Sequence, residues 1–319
     1  MDVRRDALLL IAFTASCAAQ PRIGGCAVFP PDHIWNARVD HLPVDPHSAA
    51  YVASIGEHKP LHPDFGSGLY RGRPMGIPFA VTSRGSPAVK VTFEHPAESD
   101  PGPYAIPPDT PIEGGSGSGG DRHAIAVDAS NCRLYELFAA YPQPDGTWKA
   151  GTGAIFDLTG YRLRPAGWTS ADAAGLPILP GLVRYDEIAA GAIRHALRFT
   201  VARTQPAYVW PARHRASYWP ASWAAGRYPP MGQRFRLRAG VDITRFHPEN
   251  RVLLLALKLY GMMVADNGGD WYLSGAPDPR WNNERLGELR RLRGADFEAV
   301  DVLALRADPD SGQIRPAAR

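Results

Sequence analysis

Residues 164–187 read RPAGWTSADAAGLPILPGLVRYDE, and the rest of the chain is organised around how this stretch folds. Gly167, Gly175 and Gly181 are interspersed with Pro165, Pro177 and Pro180, so neither a helix nor a strand runs through it. Yet Leu176, Ile178, Leu179, Leu182 and Val183 are too apolar for a solvated loop. A segment both irregular and apolar lies across a surface, with its backbone polar groups met by side chains or water. Two readings follow. Trp168, Thr169, Ser170, Asp172, Asp186 and Glu187 are site residues displayed on a loop held by the scaffold, or the segment is a structural plug over a sheet edge or barrel end.

The segments on both sides read as short strands. On the C-terminal side, AIRHALRFTV (192–201) turns Ile193, His195, Leu197, Phe199 and Val201 one way and Arg194, Arg198 and Thr200 the other. YVWPARH (208–214) and RFRLRA (234–239) follow, and GMMVADNGGDWYLSG (261–275) reads as a hairpin over Asn267-Gly268-Gly269. Residues 296–305 read as a closing strand. On the N-terminal side, 121–128 and 133–141 form a hairpin with Leu134, Glu136 and Phe138 on one face and Tyr135, Leu137 and Tyr141 on the other. Residues 76–83 and 88–95 read as another hairpin, turning at Arg84-Gly85-Ser86-Pro87. Residues 98–121 are a long Pro/Gly surface loop. Helices are few: a short one at 49–55 capped by Ser48, a long one at 248–262, and an amphipathic one at 284–294.

Composition agrees. The chain is 45% hydrophobic and 21% charged, enough apolar material for a substantial core and too little charge for disorder. Its 32 Gly and 31 Pro show no Gly-X-Y period, which leaves a loop-rich β protein. The expected fold is a mainly β, antiparallel β-sandwich of jelly-roll or lectin-like form, one domain over 20–306, with two late flanking helices and a frayed tail at 307–319. A net charge of +3 without clustered Lys and Arg argues against nucleic acid as a partner. A monomer is expected.

The first residues, MDVRRDALLLIAFTASCAAQ, read as an export signal: Arg4 and Arg5, an apolar run from Ala7 to Phe13, then small residues. The run is too short to span a membrane. Cleavage after Ala19 gives a soluble protein, whereas Thr14-Ala15-Ser16-Cys17 as a lipobox gives a lipid anchor at Cys17. Cys26 and Cys132 remain. In an exported chain they are expected as a disulfide, closing a loop of about a hundred residues and contributing roughly 4–5 kcal/mol; two buried free thiols are the alternative.

The blocks RPAGWTSADAAGLPILPGLVRYDE, IRHALRFTV with YVWPARH, PPMGQRFRL and YGMMVADNGGDWYLSGAPDPRWNN together resemble a family of exported bacterial proteins, mainly from soil actinobacteria. The resemblance covers nearly the whole chain after the leader. It implies export and a single domain, and it brings no activity and no catalytic residues.

The search for chemistry therefore falls on the residues. There is no G-x-S-x-G elbow, P-loop, H-E-x-x-H or dinucleotide fingerprint, so chemistry without a cofactor or metal is expected. Glu136 sits mid-strand, where a charge needs a cleft or an Arg partner. Asp172 lies in the Trp168–Asp172 turn, and Asp266 with Asp270 flanks Asn267-Gly268-Gly269; each is a catalytic candidate or a turn residue. His195 and His123 fall among apolar residues and read as core; His214, at a strand end, is the exposed candidate base. Trp168, Trp210, Trp219, Trp223, Trp271 and Trp281 sit mostly in loops or at strand ends, as platforms for sugar rings or seals on the core ends. The resulting expectation is a glycan-active enzyme acting on a poly- or oligosaccharide. A glycosidase would draw two carboxylates from Glu136, Asp172 and Asp266. A lyase would use His214 or a Tyr as base, with Arg198 neutralising a uronate. Trp168, Asn267, Trp271 and Trp281 are the expected sugar contacts. A non-catalytic glycan-binding or envelope protein is the competing class.

Overall fold

The computed structural model describes residues 20–82, 86–217 and 220–316. The leader at 1–19 with Cys17, Arg84 and Gly85 of the expected turn, and Trp219 lie outside these residues. The strands of the three main sheets are, in chain order, β1 (His62–Asp64), β2 (Ala80–Thr82), β3 (Val91–Phe93), β4 (Ala124–Asp128), β5 (Arg133–Phe138), β6 (Tyr141–Pro142), β7 (Trp148–Ala150), β8 (Thr152–Asp157), β9 (Leu197–Val201), β10 (Arg234–Leu237), β11 (Met262–Asn267), β12 (Tyr272–Ser274) and β13 (Phe297–Val300). The helices used below are α1 (Ser48–Ile55), α2 (Pro248–Leu259) and α3 (Asn283–Gly287).

A four-stranded sheet has the order β8-β5-β4-β2, a six-stranded sheet β13-β10-β11-β9-β12-β1, and a small sheet β6-β7-β3. Pairing is mixed, which corrects the expectation of an antiparallel fold. The β4–β5 hairpin forms as expected, in register from Ala124↔Leu137 to Asp128↔Arg133. But β2 runs parallel to β4, β3 to β7, β11 to β9 and β1 to β12. The expected 76–95 hairpin does not form, because β2 and β3 each extend the edge of a different sheet. The expected 261–275 hairpin does not close either: β9 inserts between β11 and β12, and the Asn267-Gly268-Gly269 turn crosses its end. Alternation predicts a strand's faces but not which strand lies beside it.

β4 shows why the four-stranded sheet is interior. All five of its residues are buried. Ile125 and Val127 face the large core, while Ala124 and Ala126 face a second cluster with Tyr104, Ile106 and Trp148. A strand covered on both faces reads as a continuous apolar run. The 164–187 segment lies on the large-core side. Leu176, Ile178, Leu179, Leu182 and Val183 are all buried. Val183 N–H donates to Ser274 of β12, and Gly181 approaches so closely that a Cβ there would meet the Cβ of Arg198 at 2.8 Å. Its other side meets β5, where Glu136 accepts the N–H groups of Ile178 and Leu179. Residues 174–184 of the segment thus form a buried layer between the two larger sheets, which answers their irregular yet apolar sequence.

Helix α2 is the longest helix among the described residues, with Pro248 opening it, Glu249 in its first turn and Lys258 in its last, each on the favourable side of the helix dipole. The expected helix at 284–294 is shorter, α3 passing into a 3₁₀ turn at Glu288–Arg291. The expected 192–201 strand begins only at Leu197. The tail expected to fray is pinned through residue 314: Gln313 bridges to His33 and Ile314 to Arg306, Trp210 Nε1 donates to Ser311 O, and Arg213 pairs with Asp310. No helix among the described residues is long and apolar enough to cross a membrane.

Cys26 and Cys132 form a disulfide across 106 positions, fastening the N-terminal segment to the β4–β5 turn. Thiol titration of denatured, unreduced protein should find neither sulfur free. The double Cys26→Ser/Cys132→Ser variant should lose about 3–5 kcal/mol of unfolding free energy in urea titration; a loss under about 1 kcal/mol would show that the bond does not hold these two regions together.

Candidate functional site

The site begins with an irregularity in β11. Val264 pairs with Phe199, but the next pair is Asp266 with Thr200, so Ala265 is an extra residue. In a regular strand Asp266 would share the inward face of Val264. The bulge turns it to the opposite face, beside Thr200, where the cleft lies. Asp266 then keeps part of its surface exposed while its neighbours Met263, Val264 and Ala265 are buried.

Behind it stands Arg198 of β9, on the same face as Thr200. Its Nε donates to Asp172 Oδ2 at 2.6 Å, its Nη2 to Asp172 Oδ1 at 2.8 Å, and its Nη1 to Ser274 Oγ. Arg198 and Asp172 are both buried. Burial works against the guanidinium's charge, but Asp172 overrides it and raises the pKa of Arg198 above its ordinary value. Asp172 is held in turn by its loop, its N–H donating to Ser170 Oγ.

The opposite wall comes from 113–123. An isolated bridge between Ile112 and Ala124 brings Glu113 beside His123. His123 Nδ1 lies 2.6 Å from Glu113 Oε2, and its Nε2 lies 3.0 Å from the carbonyl of Ala171. Burial alone would lower the imidazole's proton affinity; the Glu113 carboxylate reverses this and pushes it up to about 9. Glu113 is lowered correspondingly, His123 outweighing the effect of burial. With a carbonyl at one nitrogen and a carboxylate at the other, His123 is an imidazolium donating from both.

These groups line two adjoining spaces. One, of about 350 Å³, is bounded by His95, Glu98, Asp121, Thr169, Asp172, His214, Asp266 and Asn267. The other, of about 110 Å³, shares Asp121, Asp266 and Asn267 and adds Glu113, His123 and Arg198. Burial raises the Asp266 carboxyl and the charge of Asp172 adds to it; Arg198 and the Asn267 N–H pull the other way, and the group settles at about 7. Asp121 is exposed on the same cleft. His214 lies on its rim, with Nδ1 donating to Ala173 O and Nε2 3.9 Å from Glu98.

Of the residues expected from sequence, Asp172, Asp266, His214, Asn267 and Arg198 do converge here. The others do not. Glu136 is wholly buried and lines neither space; it clamps the backbone of Ile178 and Leu179, and burial pushes its carboxyl to about 7. Trp271 lies on the other face of the sheet, stacked on Phe199 and Phe297 with its Nε1 donating to Gly56 O. Trp281 is buried between Phe65 and Tyr185, donating to Ala276 O. Trp168 is half-buried against the Arg164 guanidinium and is not among the cleft residues. The indole N–H groups of Trp271 and Trp281 meet backbone carbonyls, which removes the cost of an unpaired donor in the interior. His195 is core, as expected, and holds Glu187. Glu98, Glu113 and Asp121 were missed; all three belong to the 98–121 loop, where no periodicity marks a facing direction.

Glu113, Asp121 and His123 place potential ligand atoms within 4.8 Å of one another. With both His123 nitrogens donating, however, no imidazole lone pair faces the cluster, and the set fits an ion pair better than a metal centre. Neither a family model nor a curated protein nor a solved structure matches the chain.

Asp172→Asn should leave a buried guanidinium without its counter-charge and cost about 3–5 kcal/mol in chemical denaturation; a change below about 1 kcal/mol would show that the pair does not anchor the segment. His123 binds its proton more tightly in the folded chain, at about 9 against an ordinary 6.5. Between those values the folded chain keeps a proton the unfolded chain has lost, so stability falls as pH rises through the window. The melting temperature should decline from about pH 6.5 to 9, and His123→Gln should flatten that decline; an unaltered profile would assign it to other groups.

Proposed function

We propose that the protein is an exported hydrolase of glycosidic bonds, with Asp266 as the proton donor and Asp121 as the second carboxylate. The observation that carries this is Asp266: a partly exposed acid on a cleft wall, holding its proton to about pH 7. Such an acid is what protonation of a glycosidic oxygen needs near neutrality, and the second carboxylate either activates water or attacks the sugar carbon. Thr152, Thr169, Ser170 and Asn267 give the same space a polar lining, with their side-chain donors held by neighbouring carbonyls. The Cys26–Cys132 disulfide supports an oxidising compartment. The same reading takes the two larger sheets as a lectin-like sandwich around the 164–187 layer, supported by one apolar core that draws on both.

The competing readings are weaker on specific grounds. A lyase needs a free cation for the uronate, but all three nitrogens of Arg198 are engaged by Asp172 and Ser274. A non-catalytic sugar-binding module would leave the proton-holding Asp266 on the cleft wall without a part, and Trp271 and Trp281, expected as its platforms, are buried.

Purified protein should release reducing ends from at least one of xylan, arabinogalactan, pectin, laminarin and bacterial cell-wall glycan. Asp266→Asn and Asp121→Asn should each lower kcat by about 10²–10⁴-fold. Activity should fall as pH rises past about 7, where Asp266 loses its proton. The folded-state value lies above the ordinary 3.8, so the stabilising effect of this group is full below 3.8 and lost as pH approaches about 7. Asp266→Asn should therefore gain stability against wild type over that interval, which shows the variant folds. No release from any glycan in the set, or full activity in Asp266→Asn, sinks the proposal.

A further inference from the structure

The cleft does not end at Asp266. Asp266 pairs with Thr200, Thr200 with Tyr272, and Tyr272 with His62, so these side chains form one row across β11, β9, β12 and β1. Paired residues on neighbouring strands point to the same face, and three interstrand steps span about 14 Å. Tyr272 is fixed within the row: its ring stacks on His62 at 4.1 Å, and on its other side a Cβ at Gly269 would lie 2.5 Å from it.

Beyond the row opens a groove of about 590 Å³ whose walls include Asp64, Phe65, Tyr70, Met75, Tyr272 and Arg290. Asp64 and Tyr272 also line the small space beside Asp266, so groove and cleft meet at this pair. Tyr70 stands on the Leu69–Pro74 ribbon with 62% of its surface exposed. Its ring has an apolar face of the kind on which sugar rings stack. Arg290 is exposed at the groove and makes no ion pair among the described residues, which leaves its donors for hydroxyl or carboxylate oxygens.

We infer that this groove is a distal subsite, holding glycan units beyond the one that reacts, and that the substrate is an extended chain of several sugar units. The inference rests on the hydrolase reading above. A ligand confined to the Asp266 cleft would leave the row from Thr200 to His62 and the exposed Tyr70 and Arg290 without a part. A chain lying along the row places its reacting bond at Asp266 and a later ring at Tyr70.

The experiment uses the full chain, the glycan from the set above that it degrades, and a ladder of that glycan's oligosaccharides made by partial acid hydrolysis. Wild-type kcat/KM should rise about tenfold or more from the shortest to the longest substrate. Tyr70→Ala and Arg290→Ala, both at exposed positions, should remove most of that rise through KM while leaving kcat on the shortest substrate unchanged. Affinity electrophoresis of Asp266→Asn through gels containing each glycan gives a second readout: retardation should weaken when Tyr70→Ala is added. Cleavage with no dependence on chain length and no effect of either variant overturns the distal subsite and leaves the hydrolase reading standing. Retardation that depends on Tyr70, without cleavage of any glycan, sinks hydrolysis and leaves the groove. Neither cleavage nor retardation overturns both.

Discussion

Arg198 is a guanidinium almost wholly withdrawn from water. Such a charge is tolerable only if its partner is equally buried and each of its nitrogens is engaged, since removing one partner of a buried pair costs several kcal/mol. Asp172 meets it with both oxygens and Ser274 takes the remaining nitrogen. Strand β9 therefore cannot settle in its sheet unless the 164–187 segment brings Asp172 to it. Gly181, which permits the backbone to pass against the Arg198 Cβ, is part of the same fit. From the other sheet Glu136 takes the N–H groups of Ile178 and Leu179, which no helix or ladder would satisfy. Two buried ionisable groups, one from each sheet, thus fix an irregular segment between regular ones.

That the segment would be buried and irregular was legible in its sequence, because Pro and Gly exclude regular structure while Leu and Ile exclude solvent. The β4–β5 hairpin and helix α2 were legible for a similar reason: alternation and a 3.6-residue stripe are local signals. What failed were statements about neighbours. β9 pushes between β11 and β12, and β2 and β3 part into different sheets. Nothing within a strand of three to six residues says which edge it will join, since that depends on the order in which distant surfaces are covered.

The site divides in the same way. Asp172, Asp266, His214 and Arg198 were visible because charged groups beside tightly turning, apolar sequence need a reason to be there. Glu113 and Asp121 come from a loop without periodicity and acquire a direction only through the bridge at Ile112. The tryptophans misled because an indole reads alike in a loop whether its N–H meets solvent or, as in Trp271 and Trp281, a backbone carbonyl. The bulge at Ala265 is equally silent in sequence, yet it decides that Asp266 faces the cleft and not the core.

The proton on Asp266 follows first from burial and then from a balance of charge. The interior around the cleft holds two cations, Arg198 and His123, each paired with its own anion, Asp172 and Glu113. A further carboxylate there has no free cation to answer it. Asp266 reaches Arg198 only at 4.0 Å, behind Asp172, and feels Asp172 as a like charge. Glu136, on the other side of the segment, is raised to the same region by burial, with the two backbone N–H groups opposing the shift and Asp172 adding to it as a like charge. Burial raises both acids, and Asp172 of the anchoring pair adds to it while Arg198 pulls Asp266 the other way. Of the two only Asp266 reaches the cleft, so the burial that makes the ion pair necessary also leaves one acid holding a proton where a ligand can meet it.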